Sequence, residues 1–305
     1  HPGIRDAQES RGLGDVYKRQ EDHPMKGNRS RLVGVTYADN LRAVKTIPFD
    51  VITALRSVVA IVNGPPGTGK TFQAGTIVST INQAAMETES TKMRTLWVTW
   101  TNAALHNLLR SALRYGVKAS TCVLVCRPES LPSDITGVKV LQLNGDPASL
   151  IEWRRLFSKE QPILNVFCTI GQTLNPPAHF ERPLDHFNGA FNFMVVDEAG
   201  QVLEIYGQHL AKYASQLLLC GDVAQLPGHS YLPDEHFPLM RAASTSIRPV
   251  FLNAQYRQNE GLAKLNSCLS YNGMVHDAVD SIPEVKSLQC ILVLFQACLL
   301  YTSDA

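Results

Sequence analysis

Residues 64–71 read Gly-Pro-Pro-Gly-Thr-Gly-Lys-Thr. A glycine, four residues, a second glycine, a lysine and a threonine form a phosphate-binding loop (P-loop) when a strand precedes them and a helix follows. The apolar run Val58–Val62 predicts that strand, and apolar residues at helical spacing between Ala74 and Ala85 predict a helix opened by Lys70 and Thr71. Backbone N–H groups, the helix N-terminus and the lysine attract phosphate oxygens, while the threonine hydroxyl binds Mg²⁺. The segment therefore predicts a Mg-nucleotide triphosphate site.

Short apolar runs alternate with amphipathic segments along the middle of the chain. Further buried strands are predicted at Leu96–Thr99, Val123–Val125, Leu164–Phe167, Phe193–Val196 and Leu217–Cys220. Leucines and alanines from Leu105 to Leu113 mark one helix face, and prolines predict loops at 176–183 and 227–238. This alternation predicts an α/β fold, a parallel sheet with helices on both faces.

Polar residues follow two of the predicted strands. Asp197 and Glu198 end an apolar strand, where the sites of open α/β sheets lie. Asp197 is predicted to hold Mg²⁺, and Glu198 is placed to accept a proton from the attacking water. Gly221-Asp222 follows another strand, so the loop that carries Gln225 should emerge at the same edge. The residues alone leave open whether Gln225 contacts a γ-phosphate or is an ordinary polar loop residue.

Composition narrows the class of protein without naming a partner. The chain has 305 residues, 45% of them hydrophobic, and a formal net charge of +1, which is typical of a folded α/β protein and does not by itself indicate nucleic acid. Its seven cysteines are an odd number among mostly apolar neighbours, which favours reduced thiols and an intracellular protein of the cytoplasm or nucleus. No secretory or membrane-spanning segment is predicted.

In their order along the chain, these segments resemble superfamily 1 helicases, specifically superfamily 1B, the branch of the RNA helicase that drives nonsense-mediated decay. The matching segments are the P-loop at 64–71, Asp197-Glu198-Ala199-Gly200-Gln201, Gly221-Asp222 with Gln225-Leu226-Pro227, Gln255-Tyr256-Arg257 and Tyr271-Asn272-Gly273. The other superfamily 1 branch usually has Asn-Tyr-Arg, and AAA+ proteins share only the P-loop. The resemblance spans about residues 50–280.

The resemblance implies a RecA-like P-loop NTPase fold, ATP and Mg²⁺ as cofactors, and single-stranded RNA or DNA as the partner of a monomeric protein. It implies that nucleotide is bound by Gly64, Pro65, Pro66, Gly67, Thr68, Gly69, Lys70, Thr71, Gln201, Gln225 and Arg257. Lys70, Asp197, Glu198, Gln225 and Arg257 would carry catalysis, with Arg257 acting as an arginine finger across the cleft between two RecA-like domains. Thr71 and Asp197 would bind the metal.

The resemblance also places Thr101, Asn102 and Thr169 at the nucleic-acid backbone, where hydroxyl, amide and N–H groups bind phosphates without reading bases. Threonine followed by asparagine is equally common as a helix cap, so this pattern has a second interpretation. The family has an adenine-recognising glutamine upstream of the P-loop, yet no glutamine occurs between Gln20 and Gln73. Gly228 also replaces the family's second proline after Gln-Leu-Pro.

Both ends are expected to be foreign to the fold, because residues 1–20 and 291–305 resemble translated sequencing-adapter read-through. Between them we expect a first RecA-like domain at 30–245 and the truncated start of a second at 246–290. The predicted function is that of a helicase or translocase fragment that binds and hydrolyses Mg-ATP to move on single-stranded nucleic acid. Two alternatives remain, a nucleotide-switched interaction protein that barely turns over and an AAA+-type remodelling ATPase.

Overall fold

The computed structural model describes residues 32–88, 92–126, 132–141, 151, 155–156, 163–174, 191–225, 238–258 and 260–278. The described residues divide into two compact units, one containing those up to Gly64 and from Lys70 to Phe251, the other containing Pro65–Gly69 and those from Leu252 to Ala278. Both expected foreign ends and most of the two proline-rich loops lie outside the described residues.

The first unit is built on an eight-stranded sheet. Its strands are β1 (Val59–Asn63), β2 (Met93–Thr99), β3 (Cys122–Val125), β4 (Lys139–Leu141), β5 (Ile163–Thr169), β6 (Phe193–Val196), β7 (Leu217–Gly221) and β8 (Val250–Phe251). They lie in the order β4-β3-β5-β2-β6-β7-β1-β8, and every pairing is parallel. The predicted parallel α/β fold is therefore confirmed.

All six predicted strands are present, each within a residue or a few of its expected bounds. They were recognisable because β5, β6 and β7 are buried at every position, and strands covered on both faces read as continuous apolar runs. The two strands of this sheet that the pattern did not predict, β4 and β8, are three and two residues long. Runs so short carry no periodicity.

Helices cover both faces of this sheet. In chain order they are α1 (Val33–Thr36), α2 (Ala38–Ala43), α3 (Phe49–Ala54), α4 (Lys70–Glu87), α5 (Asn102–Arg114), α6 (Ile170–Leu174), α7 (Glu204–Leu210) and α8 (Leu239–Ala243). Leu96 and Val98 of β2 pack in one apolar cluster with Leu210 of α7 and Met240 of α8. Alternate residues of a strand point to opposite faces, so Trp97 points the other way.

On that opposite face, a buried polar network joins β2 and β5 to α4. The Asn165 carboxamide oxygen accepts a hydrogen bond from the Trp97 indole N–H at 3.2 Å and another from the Asn82 amide of α4 at 3.5 Å. The Trp97 and Phe167 rings stack nearby, with centroids 5.1 Å apart. These contacts fix α4, the helix that the P-loop opens, against the centre of the sheet.

The second unit holds the described residues 65–69, 252–258 and 260–278. Strands β9 (Ala254–Gln255) and β10 (His276–Asp277) pair in parallel, and helix α9 (Glu260–Ser270) connects them. The helix ends in a turn at Asn272 and Gly273, both of which have a positive φ. Glycine and asparagine tolerate that conformation best, so this turn suits its sequence.

In the part of the chain that the structure describes, no helix combines the length and apolar character that crossing a membrane requires.

Candidate nucleotide-binding site

The parallel sheet gathers the predicted site residues of the first unit at one edge. Asp197 follows β6, Asp222 follows β7, and Lys70 begins the helix reached from β1. These three strands are neighbours in the sheet, and parallel strands end at the same edge. Thr101 and Thr169 lie at the corresponding ends of β2 and β5. The sequence could predict each strand end, but the strand order makes the ends adjacent.

Lys70 and Thr71 open α4 beside the carboxylate of Asp197. The Lys70 ammonium is buried and donates to the backbone oxygen of Gly64 at 2.7 Å. The Thr71 hydroxyl donates to Asp197 Oδ2 at 3.3 Å, joining residues that are 126 positions apart in the chain. The Asp197 backbone N–H donates to Val98 on β2 at 2.9 Å, which fixes the start of the acidic segment.

Asp197 is held in surroundings that disfavour its charge. The pKa of its carboxyl is raised from an ordinary value of 3.8 to about 6, mainly by burial and in addition by the neighbouring Glu198 carboxylate. Lys70 and the Thr71 hydrogen bond act in the opposite direction without cancelling the effect of burial. A buried carboxylate of this kind, at the carboxyl edge of a sheet, is typical of functional sites.

The residues present fit Mg²⁺. Mg²⁺ prefers hard oxygen ligands and usually takes one or two from the protein, completing its shell with water and substrate phosphates. The adjacent Thr71 hydroxyl and Asp197 carboxylate supply such oxygens. The raised pKa of Asp197 points the same way, since a divalent cation would stabilise the ionised form that burial disfavours.

Glu198 has a backbone conformation that is unusual for its residue type. Its φ is 53°, in the left-handed region, and its carbonyl accepts the Gln201 N–H at 2.9 Å to close the short turn Ala199–Gln201. A non-glycine residue held there costs about 1–2 kcal/mol, and strained residues cluster at functional sites. The turn leaves Glu198 and Gln201 partly exposed immediately after buried Asp197.

The loops after β6 and β7 touch through two glycines. A Cβ at Gly200 would lie 2.5 Å from the Asp222 carbonyl oxygen, and one at Gly221 would lie 2.7 Å from the Gly200 nitrogen. Larger side chains would therefore separate the two loops. Gly221 also accepts the Gly64 N–H at 3.0 Å, which connects the same point to the residue that begins the P-loop.

The loop after β7 is ordered by its own polar residues. Asp222 is buried and accepts the Ala224 N–H at 3.0 Å, and Asn63 at the end of β1 accepts the Val223 N–H at 3.2 Å. Gln225 follows, partly exposed. The predicted continuation through residues 226–228 lies outside the described residues.

Within the second unit, the P-loop residues adopt a glycine-dependent turn. Gly67 and Gly69 have φ values of 84° and 85°, a backbone conformation that residues with a side chain rarely adopt. The Thr68 hydroxyl donates to the Pro65 carbonyl at 2.8 Å and tightens the loop from inside. In the same unit, Arg257 is exposed in a turn after β9.

The predicted nucleic-acid residues have other partners in this structure. The Thr101 hydroxyl accepts the Ala104 N–H at 3.2 Å and caps α5, so the helix-cap interpretation applies to it. The Thr169 N–H and hydroxyl both donate to the Gln172 carboxamide oxygen, at 2.7 and 3.2 Å. A phosphate at Thr169 would therefore have to displace Gln172. Asn102 is exposed at the start of α5.

Several contributing residues carry no recognisable motif. Asn63 and Gln172 orient loops through single carboxamides, and Cys220 lies buried close enough to Asp197 and Lys70 for their charges to act on it. Burial raises the pKa of the Cys220 thiol well above its ordinary value. Each of these roles depends on neighbours distant in the sequence. For Asn63, its position as a polar residue at the end of a strand is the one sequence signal that could have suggested its role.

Comparison with solved structures gives remote matches. The Type ISP restriction-modification enzyme LlaGI, solved with a DNA substrate mimic, matches with a TM-score of 0.40 and 16% identity over 57% of this chain and 17% of that one. Arterivirus nonstructural protein 10, a helicase solved with DNA, matches with a TM-score of 0.44 and 12% identity over 75% of this chain and 43% of that one. The PRRSV helicase matches with a TM-score of 0.39 and 15% identity over 73% and 36%.

This chain thus spans less than half the length of each of those proteins. No match to it is found among curated protein sequences. A family model does match, and it covers residues 50–230, the segment that contains the P-loop, the acidic strand end and the loop after β7. Since that is more than half of the chain, the protein belongs to the family AAA_19, described as an AAA domain.

Proposed function

We propose that this chain binds and hydrolyses Mg-ATP as the motor of a helicase or translocase that moves on single-stranded RNA or DNA. The observation that carries the proposal is the group formed by Lys70, Thr71 and Asp197 at one edge of the sheet. A buried ammonium, a hydroxyl and a buried carboxylate together provide a phosphate partner and two magnesium ligands. The family match to an AAA domain supports the same class of chemistry.

Each predicted site residue has a role in this proposal. Lys70 neutralises the β- and γ-phosphate oxygens, and Thr71 and Asp197 hold Mg²⁺, which would neutralise charge that develops on the transferred phosphoryl group. Glu198 accepts the proton of the attacking water. Gln201 and Gln225 contact the nucleotide or that water, and Arg257 stabilises transition-state charge.

The finer parts of the proposal rest on sequence resemblance. They are the superfamily 1B branch, a first RecA-like domain at 30–245, the start of a second at 246–290, and contacts of Thr101, Asn102 and Thr169 with the nucleic-acid backbone. Such contacts bind phosphates and would not select a base sequence. Movement from 5′ to 3′ is proposed on the same basis, and an intracellular location is proposed from the cysteines, which are odd in number and lie among mostly apolar neighbours.

Nucleotide binding by a Lys70→Ala variant is the first test. We expect a fluorescent ATP analogue with Mg²⁺ to bind the wild-type chain and to lose at least tenfold in affinity in the variant, because a charge-assisted contact to phosphate is removed. Lys118→Ala is the matched control, since Lys118 is exposed and lies outside the candidate site. Equal affinity of the two variants would refute the proposed site.

The second test separates a motor from the alternatives. We expect single-stranded RNA or DNA to accelerate ATP hydrolysis by the full-length protein, because a translocase couples ATP hydrolysis to movement along the nucleic-acid strand. Slow hydrolysis that neither nucleic acid changes would instead indicate a nucleotide-switched interaction protein, an alternative favoured by the missing upstream glutamine. A protein that bound no nucleotide would show neither basal ATP hydrolysis nor acceleration by nucleic acid.

An AAA+-type remodelling ATPase is the other candidate. The AAA description of the matched family is compatible with it, whereas the segments Gly221-Asp222 and Gln255-Tyr256-Arg257 argue against it. Such enzymes act as rings, so mass measurement in the presence of nucleotide distinguishes the two. A monomer supports the motor proposal, whereas a hexamer would favour remodelling.

A further inference from the structure

A buried glutamine organises the turn that carries Arg257. Gln255 is 1% exposed, and its side-chain oxygen accepts the backbone N–H groups of Arg257 at 2.9 Å and Gln258 at 2.7 Å. Its side-chain nitrogen donates to the Gln258 carbonyl at 2.8 Å and to Asp277 Oδ1 on β10, also at 2.8 Å. One carboxamide thus closes the turn at both ends and attaches it to the neighbouring strand.

The same turn rests on the P-loop, which belongs to the same unit. The backbone N–H of Tyr256 donates to the Gly67 carbonyl at 2.9 Å. A Cβ built at Gly67 would lie 2.6 Å from the Arg257 Cβ and 3.4 Å from the Gln255 side-chain oxygen. Gly67 therefore permits a close approach that any side chain would prevent.

Exposure separates Gln255 from its two neighbours. The Tyr256 side chain is 60% exposed and Arg257 is exposed as well, whereas Gln255 faces inward with all four of its hydrogen bonds made to protein atoms. Gln255 is therefore poorly placed to touch a ligand itself. Its carboxamide supplies an acceptor for two N–H groups and a donor for two oxygens, a combination that only Gln and Asn side chains offer.

We infer that Gln255 is a positioning residue that holds the Tyr256–Gln258 turn against Gly67 of the P-loop and thereby sets where Arg257 lies relative to bound phosphate. The inference rests on the proposed function in one respect, because it takes Arg257 as the group that acts on the phosphoryl group. A hydrogen-bonded scaffold of this kind keeps a charged group in its productive geometry before substrate arrives.

Three variants separate positioning from simple packing. Gln255→Leu keeps the volume and removes all four hydrogen bonds. Gln255→Glu combined with Asp277→Asn keeps the acceptor for both N–H groups, and the new Asn amide can donate to the second Glu oxygen, so that three of the four hydrogen bonds are kept and only the one to the Gln258 carbonyl is lost. Gln83→Leu, at an exposed position of α4, is the matched control. If Gln255 only fills space, Gln255→Leu should behave more like the wild type than the variant with a buried Glu. If Gln255 positions the turn, the Glu–Asn pair should behave more like the wild type than Gln255→Leu.

Tryptic cleavage after Arg257 in the nucleotide-free protein tests the turn itself. With the peptides followed by mass spectrometry, we expect Gln255→Leu to increase the cleavage rate about tenfold or more, because at least two backbone hydrogen bonds of the turn are lost. The Glu–Asn pair should reverse most of this increase, and Gln83→Leu should match the wild type. Unchanged cleavage in Gln255→Leu would overturn the inference.

ATP hydrolysis tests the consequence for Arg257. We expect Gln255→Leu to lower kcat at least tenfold while nucleotide affinity changes less than twofold, and the Glu–Asn pair to recover most of kcat. Adding Arg257→Ala to Gln255→Leu should lower kcat no further than Arg257→Ala alone, since both remove one contribution. Fully additive losses would contradict positioning. A full-length wild-type protein without hydrolysis would refute the proposed function, and the cleavage result would still decide whether Gln255 holds the turn.

Discussion

At the scale of single residues, the candidate site places a carboxylate where folding alone disfavours it. Asp197 is buried beside a second acidic residue, and its pKa is raised to about 6. The neutral carboxyl is therefore the form that the nucleotide-free fold prefers. The stability that the neutral Asp197 carboxyl contributes is fully present below about pH 4 and is lost as the pH rises through about 6. Above that pH the protein carries a buried charge that a bound cation would compensate.

Asp197→Asn is expected to stabilise the nucleotide-free protein at pH 8, because asparagine stays neutral. The displacement of the pKa corresponds to a gain of up to about 3 kcal/mol in the free energy of unfolding, which should shrink as the pH falls through 6 and vanish below about 4. Denaturant titrations at several pH values measure it. The variant should also lose Mg²⁺-dependent nucleotide binding, and an Asn variant destabilised at pH 8 would contradict the prediction.

Glu198 allows backbone strain to be separated from chemistry. Glu198→Gly and Glu198→Gln both remove the proposed base, so both should bind Mg-ATP and fail to hydrolyse it. Only glycine relieves the left-handed conformation, so the Gly variant should be more stable than the Gln variant by about 0.5–1 kcal/mol, the balance of strain relief and glycine entropy. Urea midpoints of the two variants test this, and a less stable Gly variant would show that Glu198 is unstrained.

At the scale of elements, the helices that follow β1 and β2 begin with polar residues that could either contact a ligand or cap the helix. Thr71 lies in the first turn of α4 and reaches Asp197, whereas Thr101 caps α5 with its own hydroxyl. A cap satisfies one of the unpaired N–H groups at a helix start, which explains Thr101 without any ligand. Contact with a nucleic-acid phosphate would be an additional role.

Thr101→Ala should lower the free energy of unfolding by about 1 kcal/mol through loss of the cap, and Thr101→Ser should keep it. Thermal unfolding of both variants checks this element. If Thr101 also contacts the nucleic-acid backbone, single-stranded DNA should bind the Ala variant more weakly than the Ser variant after both are confirmed to be folded. Equal stability of the two variants would show that the cap contributes nothing.

At the scale of the whole molecule, a nucleotide that binds only the folded protein must stabilise it. With a non-hydrolysable Mg-ATP analogue at about 100 times its measured Kd, the gain should be about 2.7 kcal/mol. The unfolding midpoint should rise with analogue concentration in the wild type and in Lys118→Ala. It should rise by about half as much or less in Lys70→Ala, because a tenfold loss of affinity lowers the gain to about 1.4 kcal/mol. A rise in Lys70→Ala equal to the wild type would contradict the assignment of the phosphate site.

The strands and helices that meet the P-loop could be predicted from the sequence, because their signals are local. Apolar runs such as Phe193–Val196 and helical spacing such as that of Leu105, Leu108 and Leu109 follow from burial on a sheet or on one helix face. The P-loop and the acidic pair at Asp197 were likewise visible as residue types next to predicted strands, whereas Gln255-Tyr256-Arg257 was recognised through the family resemblance.

Which of these segments lie next to one another depends on how the chain folds in three dimensions. The order β4-β3-β5-β2-β6-β7-β1-β8 brings Asp197 to Thr71 across 126 positions and Gly200 to Asp222. The raised pKa of Asp197 and the inward orientation of Gln255 follow from that packing. Strand order and burial depend on contacts between residues far apart in the chain, and periodicity within a window of ten to twenty residues carries no information about them.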